Sequence, residues 1–178
     1  MYLYFNRKVF VLAFICLISS CHNKKDLLRK NDTVKNQSDN SGIKEKLGIT
    51  NKELKENKLF RFVNEWYGVP YKYGGCVKSG VDCSCFANNL YEAVYARKTA
   101  RNAGDIFIDC DKISVDKIRQ GDFVFFKINS SSISHVGVYL KNNLFVHAST
   151  SKGVRIDNLE DAYYKKYFYT GGRLKHSS

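Results

Sequence analysis

An α+β fold, with N-terminal helices packed on a central antiparallel sheet, is predicted by three features of the 178-residue chain. Apolar residues between 59 and 67 recur at helical spacing, the pattern after residue 120 switches to alternation, and the helical segments precede the strands. Composition agrees with a globular domain. Hydrophobic residues at 44% and charged residues at 26% exclude a mostly disordered chain. One proline and twelve glycines exclude collagen-like and Pro-rich classes, and no solenoid or propeller period recurs.

The chain opens on an address. Arg7 and Lys8 precede an unbroken apolar run from Val9 to Ile18, the layout of a secretory signal and too short for a bilayer of ~30 Å. It is the only long apolar run, which excludes a multi-span membrane protein. Ile18-Ser19-Ser20-Cys21 resembles the bacterial lipobox, where the signal is cut before a cysteine that becomes lipid-modified. The alternative is an ordinary secretory signal with a chance cysteine. The expected organisation is a signal peptide over 1–20, a flexible tether over 21–48 beginning at lipidated Cys21, and a folded domain over 49–178. Lys, Asn, Asp and Ser dominate the tether, which carries almost no aromatic or periodic apolar residues. A net charge of +12 favours anionic wall or membrane polymers, or merely keeps a lysine-rich chain soluble. An exported protein seldom meets nucleic acid, so none is expected as a partner.

The folded part starts near Thr50. Thr50-Asn51-Lys52-Glu53 has capping-box spacing, and Leu59, Phe62, Val63, Trp66 and Tyr67 then form one apolar helical face, ended by Gly68 and Pro70. Pro70 to Asp82 reads as glycine-containing loop or short strand. A second helix is expected from Cys83 to about Ala96, with Phe86, Ala87, Leu90 and Val94 on the face of Cys83 and with Cys85, Asn89 and Glu92 opposite. Residues 109–120 read as a loop with at most one helical turn. Strands are expected over 122–128, 134–140, 144–149 and 154–156, with 168–174 closing the sheet.

The candidate chemistry centres on Cys83. At a helix start, free N–H groups and the helix dipole stabilise a thiolate, although Asp82, a good N-cap, partly opposes this by its own charge. A thiolate nucleophile needs a histidine for proton transfer and a third group to orient the ring. Of the four histidines, His22 falls in the tether and His176 in the tail, leaving His135 and His147 on predicted strands. A three-residue loop, Lys141-Asn142-Asn143, pairs Leu140 with Leu144, Tyr139 with Phe145 and Gly137 with His147. This register puts His135 and His147 diagonally on one face, with Gly137 leaving space between them. A two-residue loop would put them on opposite faces.

Five blocks then stand in order: Tyr71-Lys72-Tyr73-Gly74-Gly75, Gly80-Val81-Asp82-Cys83-Ser84, Gly121-Asp122-Phe123-Val124-Phe125-Phe126, His135-Val136-Gly137-Val138-Tyr139 and His147-Ala148-Ser149. Together they resemble the NlpC family of papain-like cell-wall peptidases over roughly residues 60–174. The resemblance implies a papain-like fold and a Cys-His-His triad. Cys83 matches the nucleophile, His135 the general base and later acid, and His147 the residue that orients His135. Tyr71 matches a tyrosine near the oxyanion site, and Asp82 and Ser84 flank the nucleophile where family members contact substrate. The implied substrate is the peptidoglycan stem peptide, cut between D-γ-glutamate and a diamino acid such as meso-diaminopimelate. No metal or organic cofactor is implied. With the lipobox, the expected product is a monomer in the bacterial cell envelope, lipid-anchored to a membrane.

One position departs from the family pattern: Cys85 stands where glycine is usual. Residues two apart on a helix point about 200° apart, so a direct Cys83–Cys85 bridge is disfavoured. A Cys76–Cys110 bridge is one pairing open to the chain, though sequence does not fix connectivity. A zinc site on Cys76, Cys83 and Cys85 is another reading, against the usual paired-ligand spacing. Two further function classes remain: a catalytically silent lipoprotein that binds wall or a partner, and a thiol amidase or acyltransferase on another substrate.

Overall fold

The computed structural model describes residues 42–175. The predicted signal peptide, Cys21 and the tether as far as residue 41 lie outside them. The elements run α1 (42–47), α2 (Asn51–Glu56), α3 (Lys58–Trp66), β1 (Cys76–Val77), β2 (Gly80–Val81), α4 (Cys83–Tyr95), α5 (Ala103–Ile108) and β3 (Cys110–Ile113). A 3₁₀ turn at Val115–Lys117 leads to β4 (Phe123–Phe126), β5 (His135–Lys141), β6 (Leu144–Ser149), β7 (Gly153–Asn158), α6 (Ala162–Tyr167) and β8 (Phe168–Leu174). β1 and β2 form a small hairpin, and the other six strands form one sheet in the order β3-β8-β4-β5-β6-β7. All its pairings are antiparallel.

The first helices differ from expectation in two places. Residues 42–47, assigned by sequence to the tether, form α1, and its Ile43 and Leu47 are buried in the core. Two apolar residues at i and i+4 among charges gave too little periodicity to read. The predicted first helix is in fact two. Thr50 and Glu53 make the reciprocal capping box, with Thr50 N–H donating to Glu53 Oε2 at 2.8 Å and Glu53 N–H to Thr50 Oγ1 at 3.2 Å. α2 then stops at Asn57, whose side chain accepts from the amides of Leu59 and Phe60 and starts α3 afresh.

The apolar stripe of α3 is core. Phe62 and Trp66 stack at 5.5 Å and both meet Phe86 of α4, at 5.9 and 6.1 Å. α4 in turn packs on β5 and β6. Its far end is held by Tyr91, which stacks on Phe123 at 4.3 Å and donates to the Gly121 carbonyl at 2.6 Å.

β4 is central and covered on both faces. Phe123 and Phe125 enter the main core, while Val124 and Phe126 join Phe145 and Leu159 in a second cluster beneath Tyr164 and Phe168. Burial on both faces explains why 123–126 reads as an unbroken apolar run, each phenylalanine contributing roughly 1.5–3 kcal/mol. At its start the buried Asp122 accepts from Arg173 Nε at 2.8 Å and Nη2 at 2.6 Å, fastening β4 to β8.

The β5–β6 hairpin keeps the predicted register by another route. Tyr139 pairs with Phe145 and Val138 with Val146, as expected, but Lys141 pairs with Leu144. The turn is therefore the two residues Asn142 and Asn143, both at positive φ (51° and 61°). A register shift between Tyr139 and Lys141 absorbs the extra residue, Leu140, and so returns both histidines to one face. Gly137 also has a different reason to be glycine: a Cβ there would lie 2.7 Å from Phe145 Cδ2 and 3.0 Å from the Val146 carbonyl. α5, β3 and α6 were not anticipated. β3 lies in the segment read as a loop and pairs with β8 at the sheet edge.

Candidate active site

The nucleophile candidate sits where backbone N–H groups converge. Asp82 caps α4, its Oδ1 accepting from Cys85 N–H at 2.7 Å. The same oxygen lies 2.8 Å from the Ser84 hydroxyl, which is also 2.8 Å from the Arg101 carbonyl, and Arg101 Nη2 lies 3.8 Å from Asp82 Oδ2. Asp82 and Ser84 are buried and engaged with the protein itself, so both hold the first turn of α4 in place. Tyr71 bridges to Val81 beside them. Burial, and then the neighbouring Cys83 and Asp82, push its phenol above the usual value.

Cys83 is 9% exposed. Burial raises its pKa, while backbone N–H groups of Val136, Ser84 and Cys83 favour the thiolate and Asp82 opposes it. The contact with Val136 sets the sulfur against the start of β5, one residue from His135. Burial, followed by the nearby His147, drives His135 well below its ordinary value. A thiol shifted up and an imidazole shifted down rest together as a neutral pair at neutral pH.

Beyond His135 a row of polar groups continues. His135 Nε2 is 2.7 Å from His147 Nδ1, with the rings perpendicular and 4.9 Å apart. His147 is 1% exposed, and its Nε2 is 2.9 Å from Asp157 Oδ2. Tyr164 donates its hydroxyl to the same oxygen at 2.8 Å, and Arg155 Nε donates to Asp157 Oδ1 at 2.8 Å. A cavity of about 610 Å³ opens beside this row, lined by both histidines, Asp157, Tyr164, Arg155 and Lys152.

The fold thus brings Cys83, His135, His147 and Tyr71 together. Sequence reasoning missed Arg155, Asp157 and Tyr164. The signal for two of them was present: in Gly153–Asn158 the apolar Val154 and Ile156 alternate with Arg155 and Asp157. His147 pairs with Arg155 and Phe145 with Asp157, so both polar residues share the histidine face. Tyr164 lies on α6, which had no periodic signature.

The cysteine expectations need correction. Cys76 is joined to Cys85, with Cα atoms 5.3 Å apart, and Cys110 is a free buried thiol. The Cys76–Cys110 pairing that the sequence left open is not the one formed, and the alternative zinc reading on Cys76, Cys83 and Cys85 loses two of its ligands to the disulfide. Cys85 is also fully buried. The β1–β2 hairpin folds over the first half of α4, where Asn89 Nδ2 donates to the Cys76 carbonyl at 3.2 Å, and this covers Cys85 on the face read as outward while Glu92 stays exposed. Burial pushes the Cys110 thiol up to about 12, which makes it a poor nucleophile. Cys85→Gly is expected to lower unfolding free energy by about 3 kcal/mol, the sum of a lost short-loop crosslink and a helical glycine. Denaturant melts with and without reductant check this: reductant should destabilise the wild type and leave the variant unmoved.

A family model described as the NlpC/P60 family matches residues 68–173. The chain belongs to the NlpC/P60 family. Among curated relatives, the "Probable endopeptidase NlpC" of Escherichia coli K12 is 40% identical over 117 residues, covering 63% of this chain and 73% of the relative. The E. coli K12 "Murein DD-endopeptidase MepS/Murein LD-carboxypeptidase" is 33% identical over 126 residues, covering 71% and 66%. Among solved structures, an NLP/P60-family protein described as similar to lipoprotein, from Staphylococcus aureus, superposes with a TM-score of 0.61 at 23% identity. That match covers 72% of this chain and only 43% of the other, so it speaks for a shared NlpC/P60 fold. The five sequence blocks all lie inside the matched NlpC/P60 region, with Cys83, His135 and His147 within it.

Proposed function

We propose that this NlpC/P60 protein is a cysteine endopeptidase of the bacterial cell wall, cutting peptidoglycan stem peptides between D-γ-glutamate and a diamino acid. The observation that carries the reading is the buried His135–His147 pair together with the N–H of Val136, the residue next to His135, reaching the Cys83 sulfur at the start of α4. The names of the relatives, endopeptidases and a murein peptidase, support the substrate class. In the proposed reaction the Cys83 sulfur attacks the scissile carbonyl as its proton passes to His135. Tyr71 and the backbone amides at the start of α4 face the developing oxyanion. The tetrahedral adduct collapses to a thioester as His135 protonates the leaving amine. His135 then deprotonates a water, which hydrolyses the thioester and frees Cys83. The test is mass spectrometry of purified wall fragments incubated with the detergent-solubilised protein. Stem peptides ending at D-γ-glutamate are expected, and an unchanged fragment spectrum would reject the assignment.

The same reading places the enzyme at a membrane. Cys21 follows the lipobox-like Ile18-Ser19-Ser20, and more than one acyl chain on it would hold the protein stably. Cys21→Ser is expected to block lipid modification. Fractionation after feeding labelled fatty acid checks this, and an unlabelled wild type would remove the anchor from the proposal.

A further inference from the structure

The direction of every hydrogen bond behind His135 can be worked out from the far end. A guanidinium has donors only, so Asp157 Oδ1 accepts from Arg155. Tyr164 donates to Oδ2. Burial works against the Asp157 carboxylate, yet hydrogen bonds from His147, Tyr164 and Arg155 outweigh it and hold the group ionised, well below the usual range. An ionised carboxylate only accepts, so His147 Nε2, 2.9 Å away, carries a proton. His147 itself is neutral, since burial lowers its pKa despite the partial opposition of Asp157. Its Nδ1 is then a lone pair, and His135 Nε2, 2.7 Å from it, must donate. That leaves Nδ1 of His135 unprotonated, the one ring nitrogen free to take a proton from Cys83.

We infer that Asp157, clamped by Arg155 and Tyr164, is a positioning residue that fixes the tautomers of both histidines so that His135 offers a bare Nδ1 to Cys83. The inference rests on the reading of Cys83 and His135 as nucleophile and base. Asp157 touches no reacting atom; it acts through His147.

Asp157→Asn turns this logic over without changing shape. Arg155 can only donate, so the amide oxygen faces Arg155 and the amide NH₂ faces His147. His147 Nε2 becomes an acceptor, its Nδ1–H donates to His135 Nε2, and His135 is left with its proton on Nδ1. The base is then occupied. The charged and titratable groups facing the two rings are Cys83 from α4, Arg155 and Asp157 from β7, and Tyr164 from α6. Of these only position 157 changes in identity; the Tyr164 hydroxyl, 3.1 Å from His147 Nε2, turns its hydrogen from position 157 to that nitrogen.

Three readouts on the full-length protein test the inference. In the wild type, long-range ¹H–¹⁵N NMR should find both buried rings protonated on Nε2; a His135 ring protonated on Nδ1 overturns the inference without any variant. In Asp157→Asn the His135 signal should switch to Nδ1–H, and kcat should fall about 100-fold while KM stays within about threefold. Iodoacetamide labelling of Cys83 supplies the third. A thiol–imidazole pair holds its proton count between its two pKa values, so wild-type labelling should be flat from pH 6 to 8. In Asp157→Asn it should rise nearly tenfold per pH unit, as for a thiol that bulk water must deprotonate. Folded Asp157→Asn with wild-type kcat and a flat profile overturns the inference. A wild type whose own labelling rises with pH instead overturns the nucleophile and base assignment beneath it.

Discussion

Cys83→Ala is expected to reduce cleavage of wall peptides by at least about 10⁴-fold, more than 5 kcal/mol on the barrier. The sulfur forms the covalent intermediate, and no other thiol in the described structure can replace it. Cys76 and Cys85 are bonded to each other, and Cys110 is buried with its pKa pushed up to about 12. The side chain removed is small and the surrounding hydrogen bonds, Asp82 with the Cys85 amide and with Ser84, do not involve the sulfur. The variant should therefore keep its fold, with a melting curve close to the wild type. Chromatography of released peptides measures the loss. Wild-type turnover in folded Cys83→Ala would overturn the whole functional reading, whereas loss of fold would show as a shifted melt.

What the sequence made legible follows from where its signals were periodic. Leu59, Phe62, Val63 and Trp66 announced α3, and the alternation through His135–Tyr139 and Phe145–Ser149 set a hairpin register that put both histidines on one face. That register held although the turn differs, because strand bodies are specified by burial whereas a turn can trade loop length for a bulge. Elements without periodicity stayed hidden. α1 shows only Ile43 and Leu47, and β3 is a four-residue edge strand with two exposed positions. Asp157 differs: alternation over 153–158 was enough to put it on the histidine face, but its role comes from contact with His147 and Tyr164 across three elements, which spacing alone does not encode. Cys85 was misread because helical geometry describes only the helix. The hairpin that covers its outward face comes from residues 76–81, and the pairing with Cys76 exists only once that hairpin is in place.

His135→Ala should be nearly as severe as Cys83→Ala, and combining the two should lower turnover little further, because nucleophile and base act as a unit. Each member of the unit rests neutral. Burial moves the thiol up and the imidazole down, so neither group is charged at rest, and the proton must move from one to the other as the sulfur attacks. Without His135 the sulfur must first lose its proton to bulk water, against a raised pKa. Labelling of Cys83 by iodoacetamide at pH 7 should then slow by at least about tenfold, and its rate should climb with pH instead of staying level. The sign of the shift also fixes the acid side of the wild-type profile. A free imidazole has its pKa near 6.5. Because that of His135 lies well below this, the base remains unprotonated as pH falls through 6.5, and kcat/KM should decline only at lower pH. A profile that instead halves near pH 6.5 would show that burial does not hold the base below the free imidazole value. Equal labelling rates in wild type and His135→Ala would separate His135 from Cys83 altogether, whatever the loss of turnover.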